Sequence, residues 1–211
     1  MSFFTARTIF RVLPVVALTI AAGLVVILAR QNQSLRSQQL ELLEQVRFPQ
    51  PGVYVPVFNA LTLRGDTTTV GSHPDPAGSQ LLFFFNTRCP YCQQSMPAWN
   101  DLFTRLRGNG GTEVLGIGLD SLHLLEVYAH DQELGFPLIS LLDRRLAELY
   151  RVRAVPLTVL VDADGHVAYA RRGVLEVGEQ VDSVLLAIGA LRTRAEQEGS
   201  AAEDQPEEGM R

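Results

Sequence analysis

Leu81-Leu82-Phe83-Phe84-Phe85-Asn86-Thr87-Arg88-Cys89-Pro90-Tyr91-Cys92 is the stretch that decides the fold. Its five leading apolar residues predict a strand buried on both faces, since a run without polar alternation offers no side to water. Behind the cysteines, a helix is predicted to about Arg107, with Met96, Trp99, Leu102, Phe103 and Leu106 at core-facing spacing. Pro97 is expected to kink it, because the ring removes an i to i−4 bond. A C-x-x-C at a strand-to-helix junction points to a dithiol redox site.

The chemistry follows from the position. Cys89 at the helix start faces unpaired backbone N–H groups and the positive dipole end, which favour a thiolate. Its pKa is expected to fall from about 8.5 into the range of roughly 3.5–7.5 typical of such settings. Arg88 adds positive charge one residue earlier, a possible modulator, and Pro90 suits a first turn that needs no N–H. Cys92, three residues on, shares the helix face with Cys89 and is close enough for a Cys89–Cys92 disulfide. Cys89 is thus the expected nucleophile and Cys92 the resolving thiol, with Pro90 and Tyr91 forming the helix start between them. A structural disulfide is the competing reading, but so small a ring constrains the unfolded chain little. A zinc site is another, but no second C-x-x-C exists, and His73, His123, His130 and His166 lack ligand spacing. No metal and no cofactor is expected.

Val12 to Ala29 carries no charge and is near the lower length limit for a membrane-spanning helix. Arg7 and Arg11 precede it, so residues 1–11 are expected in the cytoplasm and 12–30 as an uncleaved signal anchor. A cleaved signal peptide is the alternative, though the apolar run is long and lacks a small-x-small site. Either way the remainder lies outside the cytoplasm, on the periplasmic side, where disulfide exchange is at home. Residues 31–49 read as a stalk helix, and Pro49, Pro51 and Gly52 mark the start of a domain over 50–195. From Glu196 to Arg211 six acids face one base, so 196–211 is expected to be a disordered acidic tail. The balanced domain has no basic footprint for nucleic acid. All eighteen basic residues are arginine, which excludes lysine-based covalent chemistry.

Within the domain, Val53–Phe58 and Thr67–Val70 are expected to pair as an opening hairpin. Glu113–Leu119 reads as a second buried strand, followed by a helix over about 121–134, a short strand near Pro137–Ser140 and a helix over about 143–150. Leu157–Val161 and Val167–Ala170 flank Asp164-Gly165, a hairpin signal, and a helix from Glu179 to about Arg194 closes the domain. The order implies α/β with a mixed central sheet flanked by helices.

With those residues in view, the chain resembles the TlpA/ResA-like branch of the thioredoxin superfamily, membrane-anchored thiol–disulfide oxidoreductases with a redoxin domain. The likeness spans about residues 52–190. It is carried by Leu81–Cys92, by Met96-Pro97, by Val152-Arg153-Ala154-Val155-Pro156-Leu157-Thr158 and by the Asp162–Gly165 turn. It implies a thioredoxin-like fold with an N-terminal hairpin extension and a strand–helix insertion, preceded by one transmembrane helix. It also implies that Pro156 is a cis-proline facing the cysteines, and that Val155 and Pro156 hold substrate through backbone groups. Clients would be protein thiols and disulfides, among them the haem-site cysteines of apocytochrome c, with electrons supplied by a membrane or envelope disulfide-relay protein.

Two departures stand out. The family's helix often carries a glutamate three residues after the second cysteine, where this chain has Ser95, and Leu81–Phe85 contains no acid. No carboxylate is therefore apparent to take the proton of Cys92. Pro-Tyr between the cysteines is the glutaredoxin dipeptide instead. A peroxiredoxin-like thiol peroxidase is the alternative function, but Thr87 lies two residues before Cys89 rather than three and the accompanying proline is missing. A non-enzymatic metal-handling module is a further alternative, for which the cysteine spacing is wrong.

Overall fold

The computed structural model describes residues 20, 22–37, 48–108 and 111–203. The chain divides into two compact units, Met1–Val46 and Arg47–Arg211. In the first, helix α1 (22–37) exposes Leu24, Val25, Val26, Ile27 and Leu28, each by more than half. The expected cytoplasmic end, residues 12–19 and 21 of the expected anchor, and residues 38–47 of the expected stalk lie outside the described residues. Among the described residues, no helix is long and apolar enough to cross a membrane.

The second unit begins with strands β1 (Phe58–Leu61) and β2 (Thr67–Val70), then β3 (Ser79–Phe85), helix α2 (Pro90–Leu106), β4 (Thr112–Gly118) and α3 (Leu122–Asp131). It continues with β5 (Leu138–Ser140), α4 (Arg144–Leu149), β6 (Leu157–Asp162), β7 (Val167–Arg172) and α5 (Glu179–Glu203). Five strands form one sheet in the order β5-β4-β3-β6-β7. β4 runs parallel to β3 and to β5, whereas β6 is antiparallel to β3 and to β7. This is the mixed α/β sheet of the thioredoxin-like fold.

β3 sits at the centre, and all seven of its residues are buried. Leu81, Phe83 and Phe85 pack with Met96, Trp99, Leu102, Leu125 and Val181 on one face. Leu82 and Phe84 pack with Leu115, Ile117, Val159 and Tyr150 on the other. Trp99 stacks on Phe83 at 4.8 Å, and its indole N–H donates to Thr158 Oγ1 at 3.0 Å. It is a core residue with its one donor satisfied, not a substrate surface. At Gly118 any Cβ would collide with the Leu125 side chain, so glycine there lets α3 lie flush against the end of β4.

Two expectations need correction. The opening hairpin is made by β1 and β2, with Phe58 opposite Val70 and Leu61 opposite Thr67, so the first strand starts where it was expected to end. Residues 53–55 instead run beside the β6–β7 turn: Val55 N–H donates to Gly165 O at 2.8 Å and Val167 N–H to Val53 O at 2.9 Å. Pro56, which has no N–H for a ladder, separates the two pairings. Second, α5 continues to Glu203, so residues 196–203 are helical rather than the start of a tail. Arg192–Glu196 and Arg194–Glu198, at 3.6 and 2.9 Å, are i,i+4 pairs that carry the helix across that boundary. Residues 204–211 lie outside the described residues. Helix α2 itself runs from Pro90 through Pro97, which is exposed, to Leu106.

Gln80 ties the hairpin to the sheet. Its buried amide accepts from Gly71 N–H at 2.8 Å and donates to Thr69 O at 2.6 Å and Glu113 Oε2 at 2.7 Å. Gln80→Ala strips the buried Gly71 N–H and two more exposed groups, Thr69 O and Glu113 Oε2, of a partner and is expected to destabilise the protein by about 2 kcal/mol, read as a lower denaturant midpoint. An unchanged midpoint would show that water or rearrangement replaces the amide.

Candidate active site

β3 ends at Phe85, and three residues later the chain enters α2. Cys89 is the N-cap, with extended backbone (φ −86°, ψ 112°), and its carbonyl accepts from Cys92 N–H at 3.0 Å and Gln93 N–H at 3.2 Å. No side chain caps this helix start, Pro90 has no N–H to offer, and Cys89 N–H donates to Asn86 O at 3.1 Å. Pro90 and Tyr91 follow, both exposed, Tyr91 by 60%. Cys89 is half-buried and Cys92 fully buried, and both are free thiols, the dithiol form of the pair.

The segment before β6 comes up against Cys89. Cys89 Sγ lies 3.7 Å from Val155 O, and the Val155–Pro156 peptide bond is cis. Arg88, Cys89 and Val155 line one groove, while Pro156 is buried beneath it. The structure therefore gathers Arg88, Cys89, Pro90, Tyr91, Cys92, Val155 and Pro156 at one end of the sheet, where β3 stops and β6 begins.

Burial pushes the Cys92 thiol up to about 12. The backbone N–H of Asn86 pulls the other way, while Cys89, through its hydrogen bond and its charge, and the Asp120 carboxylate push further up. Cys92 therefore holds its proton throughout the neutral range.

Sequence reasoning missed Asp120. It is buried two residues after β4, its Oδ1 accepts from Asn86 Nδ2 at 3.0 Å, and its Oδ2 accepts from Thr87 N–H at 2.6 Å. A carboxylate is thus present behind the cysteines, contrary to the expectation that none was available. The usable signal was topological: Phe85 and Gly118 are partners on adjacent parallel strands, so the residues after each arrive at the same edge. Tyr128 was missed as well. Its ring stacks on Phe85 at 5.7 Å, its buried hydroxyl has no partner among the described residues, and burial, then charge at Cys92 and Cys89, pushes it up to about 12. Ser95, standing where the family often has an acid, is buried; its hydroxyl donates to Tyr91 O at 3.2 Å and accepts from Leu175 N–H at 3.1 Å. It pins the loop after β7 to α2.

The AhpC/TSA family profile matches residues 51–170, and the chain belongs to that family. It is similar to the methylamine utilization protein MauD of Methylophilus methylotrophus, 27% identical over 140 residues, covering 64% of this chain and 61% of MauD. It is also similar to the thiol-disulfide oxidoreductase ResA of Oceanobacillus iheyensis, 25% identical over 96 residues, covering 45% of this chain and 50% of ResA. The chain thus spans between half and two thirds of the length of these relatives. Among solved structures, StoA from Bacillus subtilis shares the fold with a TM-score of 0.54 at 17% identity, over 65% of this chain and 98% of StoA.

A sulfur that keeps its proton to about 12 resists alkylation. In the reduced protein at neutral pH, iodoacetamide is expected to modify one thiol per chain, at Cys89, with Cys92 reacting only as the pH nears 12 or on unfolding. Because the Asp120 charge raises Cys92, Asp120→Asn should move that onset to lower pH. Peptide mass spectrometry across a pH series reads both; equal labelling of the two cysteines at pH 8 would contradict the burial account.

Proposed function

We propose that this chain is a thiol–disulfide oxidoreductase that exchanges disulfides with protein clients outside the cytoplasm, held at the cell membrane by residues 12–30. The single observation that carries the chemistry is the split between a half-buried sulfur at an uncapped helix start and a buried sulfur three residues on.

The Cys89 thiolate attacks one sulfur of a client disulfide. A Cys89–client bond forms, the client bond breaks, and the client's other sulfur leaves as a thiolate and is protonated from water. Cys92 then attacks Cys89 Sγ, forming the Cys89–Cys92 disulfide and releasing the second client thiolate. Two electrons pass to the client and two protons leave the dithiol; a dithiol relay protein in the membrane or envelope returns the electrons by the same exchange in reverse. Once Cys89 is bonded to a client, its charge and its hydrogen bond to Cys92 vanish. Two of the influences that hold the Cys92 proton are thereby removed. Asp120, the carboxylate that weighs on Cys92, is the base assigned to that proton.

The anchor rests on the charge-free run Val12–Ala29 behind Arg7 and Arg11. The five exposed apolar side chains of α1, which need an apolar surrounding, support it.

The test uses the full chain in detergent with a small dithiol as reductant and a disulfide-bonded protein as client. Cys89→Ser should abolish turnover, and Cys92→Ser should stop at a client-linked species that excess dithiol releases. Turnover by both variants at the parent rate would overturn the assignment. For the location, the chain should stay in carbonate-washed membranes, with its second unit open to protease added from outside the cytoplasmic membrane; recovery in the wash would exclude an anchor.

A further inference from the structure

The groove in front of Cys89 has a volume of about 310 Å³ and is lined by Asn86, Arg88, Leu119, Val152, Arg153, Ala154 and Val155 besides the cysteine. Arg88 and Arg153, both exposed, are the only charged residues among those lining it. Neither guanidinium is engaged by a carboxylate among the described residues. Asp120, next in sequence to Leu119, is not a lining residue, and both its oxygens accept from Asn86 and Thr87. A client segment lying along this groove with its sulfur at Cys89 meets two arginines that no carboxylate among the described residues engages.

We infer that the groove selects clients whose reacting cysteine is flanked by acidic residues. The inference rests on the exchange activity proposed above and adds its client class. Carboxylates one or two residues from the client sulfur would meet Arg88 and Arg153, whose guanidinium forks suit carboxylates in two-point contacts. A cationic flank, such as the histidine of a Cys-x-x-Cys-His haem-attachment segment when protonated, meets like charge instead. Exposed charges at the edge of a groove act mainly through encounter and salt-dependent affinity, so the selection should appear in KM rather than in kcat.

The experiment compares three disulfide-cyclised peptides that differ only in the residues flanking the ring: Glu, Gln or Arg. With the full chain at low salt, kcat/KM is expected to fall in that order, by roughly tenfold between the extremes, as suits two partly screened contacts. The spread should shrink in high salt. Arg88→Glu combined with Arg153→Glu should invert the order. Equal kcat/KM for the three peptides, or an order that survives the double charge reversal, overturns the inference. Binding of the same peptides with serine in place of cysteine, followed by fluorescence anisotropy, separates the two claims. The charge order in Kd without turnover would support the groove and sink the exchange reading, whereas equal Kd values would sink the groove alone.

Discussion

Burial of the Cys92 sulfur beneath the first turn of α2 is the constraint from which the rest of the site follows. β3 is central and covered on both faces, so its end lies in the core, and the helix that starts a few residues later must begin against that core. The N-cap position then faces outward, while the residue three positions on points back toward Phe85 and Trp99. Two identical side chains acquire different solvation from one backbone path. A thiol away from water pays for ionisation with lost hydration, and at Cys92 this outweighs the hydrogen bond from Asn86 N–H.

The aromatic packing maintains that inequality. Phe83, Phe85, Trp99 and Tyr128 form a chain of ring contacts in which Trp99 of α2 touches both sheet rings and Phe85 touches Tyr128 of α3. Each buried ring contributes up to about 3 kcal/mol, so water is kept from Cys92 by elements whose disruption would unfold the domain rather than merely loosen the site. Ser95 extends the same logic to the far side: its two hydrogen bonds hold the loop after β7 against α2 and close the core below the dithiol. Gly118 contributes from the other side, since a Cβ there would collide with the buried Leu125 side chain of α3.

Much of this was legible before any coordinates. The apolar run Leu81–Phe85, the C-x-x-C behind it and the periodicity of Met96, Trp99 and Leu102 are local patterns, and the central strand and active-site helix lie where they indicate. The β6–β7 hairpin was readable from Asp164-Gly165 for the same reason. What escaped depends on pairing between distant segments. Residues 53–57 have the composition of a strand, but their partner is the turn at Gly165, and Phe58 rather than Val53 opens the hairpin. Residues 196–203 have the composition of a tail, yet pairs with residues four positions back extend the helix. Asp120 stands 28 residues from Cys92, and only the parallel pairing of β3 with β4 brings it behind the cysteines.

The origin of that carboxylate bears on how the site works. An acid carried on α2 would move with the cysteines and report nothing about the loop before them. Asp120 is instead bonded to Asn86 and Thr87, the residues that set the path into Cys89, while the backbone N–H of Asn86 reaches the Cys92 sulfur. The same short segment therefore touches the acid, the buried sulfur and the chain entering the attacking one. In the exchange proposed above, a client bound at Cys89 would bear on Asn86, which adjoins both Cys92 and Asp120. In that exchange, one asparagine would link capture of a client to activation of the thiol that releases it, with the acid standing after β4 rather than on α2.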